Sequence, residues 1–206
     1  MNDQTIILQL QLGAMENFTY IIGDPSTGEG TVIDPWNDTD AILSAAAKNK
    51  LTLKSVLLTH GHYDHTGGVK FFSEKMNLPV YLSKDEFMLY VPACKTLKRL
   101  KDDDTVAVGT LKIKAISTPG HTPGCISYLV QENLFTGDTL FIDAVGRADL
   151  PGGNSGILFQ SLQRIKNLPD TTMIWPGHHY GTRTSAPLSI LKTSNPYLMS
   201  NDANDF

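Results

Sequence analysis

Cysteine is scarce in this sequence of 206 residues, which contains only two. Cys94 and Cys125 lie far apart, and neither belongs to a C-x-x-C pair. We expect both to be small core residues of a protein in the reducing cytoplasm, and a single disulfide between them stays open as the alternative.

Long apolar runs and an excess of basic residues are also absent. No stretch approaches the ~18–20 apolar residues of a membrane-spanning helix, and Met1-Asn2-Asp3-Gln4 lacks the basic and apolar regions of a signal peptide. A net charge of −4 argues against a nucleic-acid partner, which would favour a basic face. We therefore expect a cytoplasmic globular protein that contacts neither membranes nor nucleic acids.

Apolar segments with the spacing of strands come in runs, with helical patterns between some of them. Strands are predicted at residues 5–12, 17–22, 30–34, 53–59, 79–82, 105–108, 111–117, 125–131, 133–136 and 171–175. Helices are predicted at 39–48, 67–76, 84–89 and 155–168 and around Leu188 and Leu191, with irregular chain up to Asp104. Because no repeat or linker divides the chain, we predict one domain over residues 1–206. Its expected fold class is α+β, an αββα sandwich of two sheets with helices outside.

The stretch from Thr59 to Gly68, T-H-G-H-Y-D-H-T-G-G, carries four potential metal ligands directly after an apolar run. A regular helix or strand would not turn four such side chains toward one point, whereas a loop at a strand end can. The alternative, a solvated polar turn, does not account for the dense H-x-H-x-D-H spacing. The stretch therefore predicts a metal site at the end of a buried strand.

Three later loops each add a residue of ligand type after an apolar strand. His121 lies in T-P-G-H-T-P-G, Asp138 in F-T-G-D-T, and His178 and His179 in P-G-H-H-Y. Each alone is typical of a structural residue, but together they indicate one site at strand ends, where binding residues collect on a rigid scaffold. The predicted ligands are His60, His62, Asp64, His65, His121, Asp138 and one of His178 and His179.

Five imidazoles and two carboxylates suit zinc first, with iron or manganese as alternatives, and neither cysteine is near enough to form a thiolate site. Seven ligands are too many for one open tetrahedral ion and are enough for two divalent metal ions that share Asp138. Such a pair lowers the pKa of bound water toward ~7 and polarises a carbonyl. The residues therefore indicate hydrolysis by a metal-bound hydroxide, and no G-x-S-x-G or Walker motif competes with this interpretation.

The ordered motifs H-x-H-x-D-H, T-P-G-H-T-P-G, F-T-G-D-T-L-F and P-G-H-H-Y resemble the metallo-β-lactamase superfamily, and within it the compact glyoxalase II-like hydrolases. The resemblance covers nearly the whole chain and implies an αββα sandwich with metals at one edge. It implies that His60, His62 and His121 hold one metal and Asp64, His65 and His178 the second, with Asp138 bridging. It places His179 outside the ligand set.

The same resemblance implies a small-molecule thioester substrate, of the S-hydroxyacyl-glutathione type or a relative, attacked by a hydroxide that Asp64 orients. Arg147 and Tyr180 match positions that hold glutathione in glyoxalase II. Phe141 stands where lactone hydrolases of the superfamily carry Tyr, so a lactone substrate is disfavoured and Phe141 is expected to be a pocket wall or core residue. Asp149 departs from the glyoxalase II pattern, which leaves glutathione specificity open.

Two other functions stay open. The G-R-A-D stretch at Arg147 is similar to that of persulfide dioxygenases, which use one iron held by a facial triad, here His60, His121 and Asp138. A non-catalytic diiron redox module like that of flavodiiron proteins is the other alternative, but those proteins replace the second motif His with Glu, and His62 argues against it. The sequence leaves open the acyl group, the native metal and the oligomeric state.

Overall fold

A computed structural model of the protein describes residues 5–202, and its strands form two six-stranded sheets. The first sheet contains β1 (Ile6–Leu12), β2 (Asn17–Asp24), β3 (Glu29–Ile33), β4 (Thr52–Leu57), β5 (Val80–Ser83) and β6 (Leu97–Leu100). The second contains β7 (Thr105–Val108), β8 (Leu111–Ser117), β9 (Ile126–Val130), β10 (Asn133–Gly137), β11 (Met173–Pro176) and β12 (Ala186–Pro187). The tetrapeptide Met1-Asn2-Asp3-Gln4 lies outside the described residues.

Helices follow the strands of both sheets. They are α1 (Thr39–Lys48), α2 (Tyr63–Thr66), α3 (Val69–Glu74), α4 (Ser155–Lys166), α5 (Leu188–Ser194) and α6 (Pro196–Met199), with a 3₁₀ turn at Met88–Tyr90. The two longest have side-chain caps: Asp38 accepts from the Ala41 N–H, and Asn154 accepts from the Ile157 N–H. None of the helices in residues 5–202 has the length and apolar content to cross a bilayer.

Strand direction explains why the ligand-bearing loops meet at one edge. In the first sheet β3, β4, β5 and β6 run parallel, so the loops after β3 and β4 leave the sheet on the same side. In the second sheet β8 and β10 are both antiparallel to β9, and β11 is parallel to β10. The carboxyl ends of β8, β10 and β11 therefore share one edge, where the loops with His121, Asp138 and His178 begin.

Three apolar clusters define the layers. The inner faces of the sheets pack on each other through buried residues such as Tyr20, Ile113 and Phe135. Ile21 and Val56 on the other face of the first sheet pack with α1 and α3, and the outer face of the second sheet packs with α4, α5 and α6. The predicted αββα sandwich is confirmed, and both cysteines are free thiols.

Two local predictions need correction. Residues 84–89 form no α-helix but a turn that leads into the 3₁₀ turn at Met88–Tyr90. The buried Glu86 carboxylate between them accepts hydrogen bonds from the Gly61 and Phe87 N–H groups. The region up to Asp104 is irregular as predicted except for β6, which pairs with β5. The sequence did not indicate this strand because its exposed Lys98 and Arg99 interrupt the apolar pattern.

The helix predicted over residues 67–76 is confirmed with shorter bounds, since α3 covers Val69–Glu74. It begins after Gly68, whose N–H donates to the Pro35 carbonyl at 2.8 Å. A Cβ at Gly68 would come within 2.7 Å of the Trp36 carbonyl oxygen, so only glycine allows this close approach.

Candidate metal centre

The predicted ligands converge where the two sheets meet. His60 and His62 follow β4, and the single turn α2 then directs the buried Asp64 and His65 to the same side. His121 arrives from the loop after β8, Asp138 from the end of β10 and His178 from the end of β11. All seven side chains are buried except that of His62, which is half-buried.

Their donor atoms form two groups of three. In the first, the His62 Nδ1 lies 3.1 Å from the His60 Nε2 and 2.9 Å from the His121 Nε2. In the second, the His65 and His178 Nε2 atoms are 3.1 Å apart, and the Asp64 Oδ2 is 3.4 Å from each. Each group brings its donors within 4.8 Å of one another, a spacing that one metal ion can span.

Asp138 lies between the two groups. Its Oδ2 is 3.6 Å from the His121 Nε2 and 3.3 Å from the His178 Nε2, and its Oδ1 is 3.3 Å from the His65 Nε2. The Oδ1 is buried without a hydrogen-bond partner. A single carboxylate therefore reaches both groups, as a ligand shared by two ions must.

Four of the imidazoles make a hydrogen bond through Nδ1, the ring nitrogen that faces away from the centre. The partners are the Thr59 hydroxyl for His60, the Asp34 carboxylate for His65, the Arg147 carbonyl for His121 and the Met15 carbonyl for His178, at 3.0, 3.0, 2.6 and 2.8 Å respectively. Such contacts fix the tautomer and ring orientation of metal-binding histidines. They leave the Nε2 of each ring directed at the centre.

The residues present fit a pair of divalent cations. Facing imidazole nitrogens near 3 Å need either shared protons or a cation between them. A Cβ at Gly177 would lie 2.3 Å from the Asp138 Oδ1, so glycine leaves room for the carboxylate at the point where it meets the second group. Imidazole and carboxylate donors with no thiolate suit zinc, iron or manganese.

Charge differs between the two groups. Burial, together with the neighbouring imidazoles, keeps the pKa of His60 well below its ordinary value and lowers the pKa of His62 to about 4. Burial also disfavours charged His178, but its hydrogen bonds to Asp138 and Asp64 outweigh this and raise the pKa to about 9. At Asp64 burial alone would raise the pKa, but the hydrogen bond with His178 outweighs this effect and the pKa is lowered to about 2.

Metal binding at the second group should therefore depend on pH. His178, with a pKa of about 9, holds a proton at neutral pH in the metal-free protein and must release it to bind an ion. We expect the apparent zinc affinity to rise between pH 6 and pH 9, by up to about tenfold per unit for each proton released. Chelator competition at each pH, corrected for the chelator's own protonation, measures this. An affinity that stays constant across that range would contradict the proton assignment.

Three supporting residues were missed by the sequence predictions. The buried Asp34 carboxylate accepts from the Thr59 N–H and hydroxyl at 2.7 and 2.6 Å and holds His65. The Asn17 amide donates to the Asp64 Oδ2 at 2.9 Å. Glu86 accepts from the Gly61 N–H and the Thr122 hydroxyl, which joins the two loops of the first group. Of these three residues, only Asp34 could have been found from the sequence, because it follows a predicted strand as the candidate ligands do.

The centre opens into a cleft of about 590 Å³ whose lining includes Phe141, Arg147 and Tyr180. The Tyr180 ring stacks on that of His178 with 4.6 Å between centroids, and the buried Phe141 meets Tyr180 edge-on at 5.3 Å. Arg147 donates from its Nε and Nη2 to the two oxygens of Asp149 at 2.7 and 2.8 Å. His179 packs against Phe18 and belongs to neither group of ligands.

An αββα sandwich that gathers two groups of imidazoles around a shared carboxylate at one edge defines a class of metal-dependent hydrolases. The sequence model of the metallo-beta-lactamase superfamily matches residues 12–178. The chain belongs to this superfamily, as the motif resemblance predicts.

Three similar proteins illustrate the range of the family. A Bacillus subtilis (strain 168) protein described as "Probable polyketide biosynthesis zinc-dependent hydrolase PksB" is 35% identical over 182 residues, which cover 88% of this chain and 81% of that protein. The crystal structure of ETHE1 from Myxococcus xanthus has a TM-score of 0.89 and 34% identity, and covers 98% of this chain and 88% of that one. The crystal structure of TTHA1623 in a di-iron-bound form has a TM-score of 0.80 and 28% identity, and the match covers 93% of this chain and 100% of that one. Among these similar proteins, one is therefore named as probably zinc-dependent and another is described with two bound irons.

Proposed function

We propose that the protein is a metal-dependent hydrolase that cleaves thioesters, of the S-hydroxyacyl-glutathione type or a relative. The observation that carries the proposal is the position of Asp138, whose two oxygens lie within 3.6 Å of donor nitrogens from both groups. The similarity to a protein named as a zinc-dependent hydrolase supports the reaction class.

The residues have distinct roles in this proposal. His60, His62 and His121 would hold one ion, Asp64, His65 and His178 the other, and Asp138 both. When bound, the ions would lower the pKa of water toward ~7 and polarise the substrate carbonyl. Asp64, held by Asn17 and kept ionised by its hydrogen bond to His178, would orient the attacking water by accepting its hydrogen bond.

The substrate side of the cleft fits a reaction that needs no strong acid. A thiol leaves as a thiolate with an ordinary pKa of ~8.5, so its departure needs little protonation. Burial and the nearby Asp138 raise the pKa of Tyr180, which keeps its hydroxyl a hydrogen-bond donor at neutral pH. We propose that Tyr180 and Arg147 contact the thiol portion and that Phe141 forms the wall beside His178.

The second candidate is a persulfide dioxygenase with one iron on His60, His121 and Asp138. The separation between the His121 Nε2 and the Asp138 Oδ2, 3.6 Å, is compatible with such a triad. The group of Asp64, His65 and His178 does not separate the two candidates, because persulfide dioxygenases also retain these residues. Phe141, in the G-D-T-L-F stretch that begins at Gly137, favours the hydrolase.

A turnover assay tests the proposed function. Metal-loaded protein should hydrolyse S-lactoylglutathione or another member of a broad thioester panel, with stoichiometric thiol release, and chelation should abolish the activity. Oxygen uptake with glutathione persulfide is measured in parallel. Metal-loaded protein that turns over no thioester but consumes oxygen with persulfide would reverse the order of the two candidates.

A further inference from the structure

The cleft walls beyond the ligands are mainly apolar. They include Met15, Tyr63, Tyr90, Phe141, Val145 and Leu150. Tyr90 packs edge-on against His62 with 4.4 Å between ring centroids and donates its hydroxyl hydrogen to the Pro151 carbonyl, so this wall is held in place on both sides. Burial of an uncharged, apolar group against such walls is favourable. Burial of a charged group there is unfavourable, because the group loses its hydration.

Arg147 is the only Lys or Arg that lines this cleft within residues 5–202. Its main chain is fixed at the metal centre, since its carbonyl oxygen lies 2.6 Å from the His121 Nδ1. Its guanidinium, however, already donates hydrogen bonds to both carboxylate oxygens of Asp149. An incoming carboxylate would have to compete with Asp149 for the same planar fork of donors.

A second acidic residue, the exposed Glu16, directly follows Met15, which lines the same cleft. The negative charge of Glu16 acts on Tyr180 together with those of Asp138 and Asp64 and contributes to its raised pKa. Glutathione carries two carboxylates and one ammonium group at neutral pH. Its net negative charge would be repelled by Glu16 and Asp149, and the charge of Arg147 is already paired with Asp149.

We propose that the cleft takes thioesters of uncharged thiols in preference to thioesters of glutathione, and that the Arg147–Asp149 pair sets this preference. The inference rests on the proposed function. In the reaction water supplies the new carbon–oxygen bond, the carbon–sulfur bond breaks with its electron pair on sulfur, and the products are a carboxylic acid and a thiol. The acyl group and the uncharged carrier lie against the apolar walls.

Two substrates with the same acyl group test the preference. S-lactoylglutathione and S-lactoyl-N-acetylcysteamine differ in the charge of the thiol, and the ratio of their kcat/KM values is measured with zinc-loaded protein. In Asp149→Asn the freed Arg147 should shift this ratio toward glutathione by about fivefold, the size expected for one exposed charge pair. The double variant Arg147→Gln/Asp149→Asn should lose that shift. Asp170→Asn, which removes a carboxylate paired with Lys192 on the surface, should leave the ratio unchanged.

Binding of unreactive analogues gives a readout that needs no turnover. Calorimetry compares the thioethers S-hexylglutathione and S-hexyl-N-acetylcysteamine, and Asp149→Asn should tighten only the first, with an effect that falls as salt rises. If zinc-loaded protein binds the thioethers as expected but cleaves neither thioester, the proposed function fails and the preference stands. If it cleaves both thioesters, prefers glutathione and does not respond to Asp149→Asn in either assay, the preference is overturned and the hydrolase stands.

Discussion

Replacing Asp138 with asparagine should lower kcat/KM for thioester hydrolysis by more than about 1,000-fold, because the stabilisation that the ions supply, several kcal/mol, is lost with their shared ligand. Asparagine keeps the size of the side chain but removes its charge and turns an NH₂ group toward the buried His65 and His178 nitrogens. Steady-state kinetics and the metal content of the same sample measure the effect, and we expect fewer than two ions per chain.

The exposed Asp85, which pairs with Lys84, provides the matched control. Asp85→Asn removes one carboxylate in the same way, and its activity and metal content should equal those of the wild type. An Asp138→Asn protein that keeps two ions and more than a tenth of the activity would show that the carboxylate does not join the two groups.

Replacing Asp34 with alanine should lower the free energy of unfolding by about 3–5 kcal/mol, the cost of removing one partner from a buried pair. The variant leaves the Thr59 N–H and hydroxyl and the His65 Nδ1 without their acceptor. Loss of the contact behind a metal-binding histidine should also weaken ion binding at the second group by about 10- to 100-fold. Denaturant titration of the metal-free protein and chelator competition measure the two effects.

A second variant separates backbone strain from the loss of the carboxylate. Asp34 has a φ of +49°, a conformation that asparagine adopts more readily than alanine. Asp34→Asn should therefore lose less stability than Asp34→Ala while still weakening metal binding. For comparison, Asp38→Ala removes an exposed helix cap and should cost about 1 kcal/mol without changing metal affinity. Equal losses in stability from Asp34→Ala and Asp38→Ala would contradict the role assigned to Asp34.

Ten of the twelve strands, the αββα layers and the convergence of the candidate ligands at one edge could be predicted because each depends on local pattern. Apolar periodicity marks strands such as β4, and the His and Asp residues that follow strand ends meet once the strands run in the same direction. The H-x-H-x-D-H spacing needs no knowledge of distant residues. This is why the sequence indicates a metal site before the fold is known, while the division of its ligands into two groups is what the family resemblance implies.

The support behind the ligands depends on contacts between distant segments and was not predictable from local pattern. Glu86 is predicted as part of a helix, yet its carboxylate holds the N–H of Gly61, 25 residues away. Asn17 reaches Asp64 across 47 residues. The opposite charges of Arg147 and Asp149 are visible in the sequence, but only the structure shows that they form a bidentate pair at the cleft.

The metal content of wild-type protein, purified without added metal and measured by inductively coupled plasma mass spectrometry, tests the two-ion centre most directly. The geometry of the two groups around Asp138 predicts two divalent first-row ions per chain, both removed by chelation. One iron per chain, unchanged when excess zinc or iron is supplied, would contradict it.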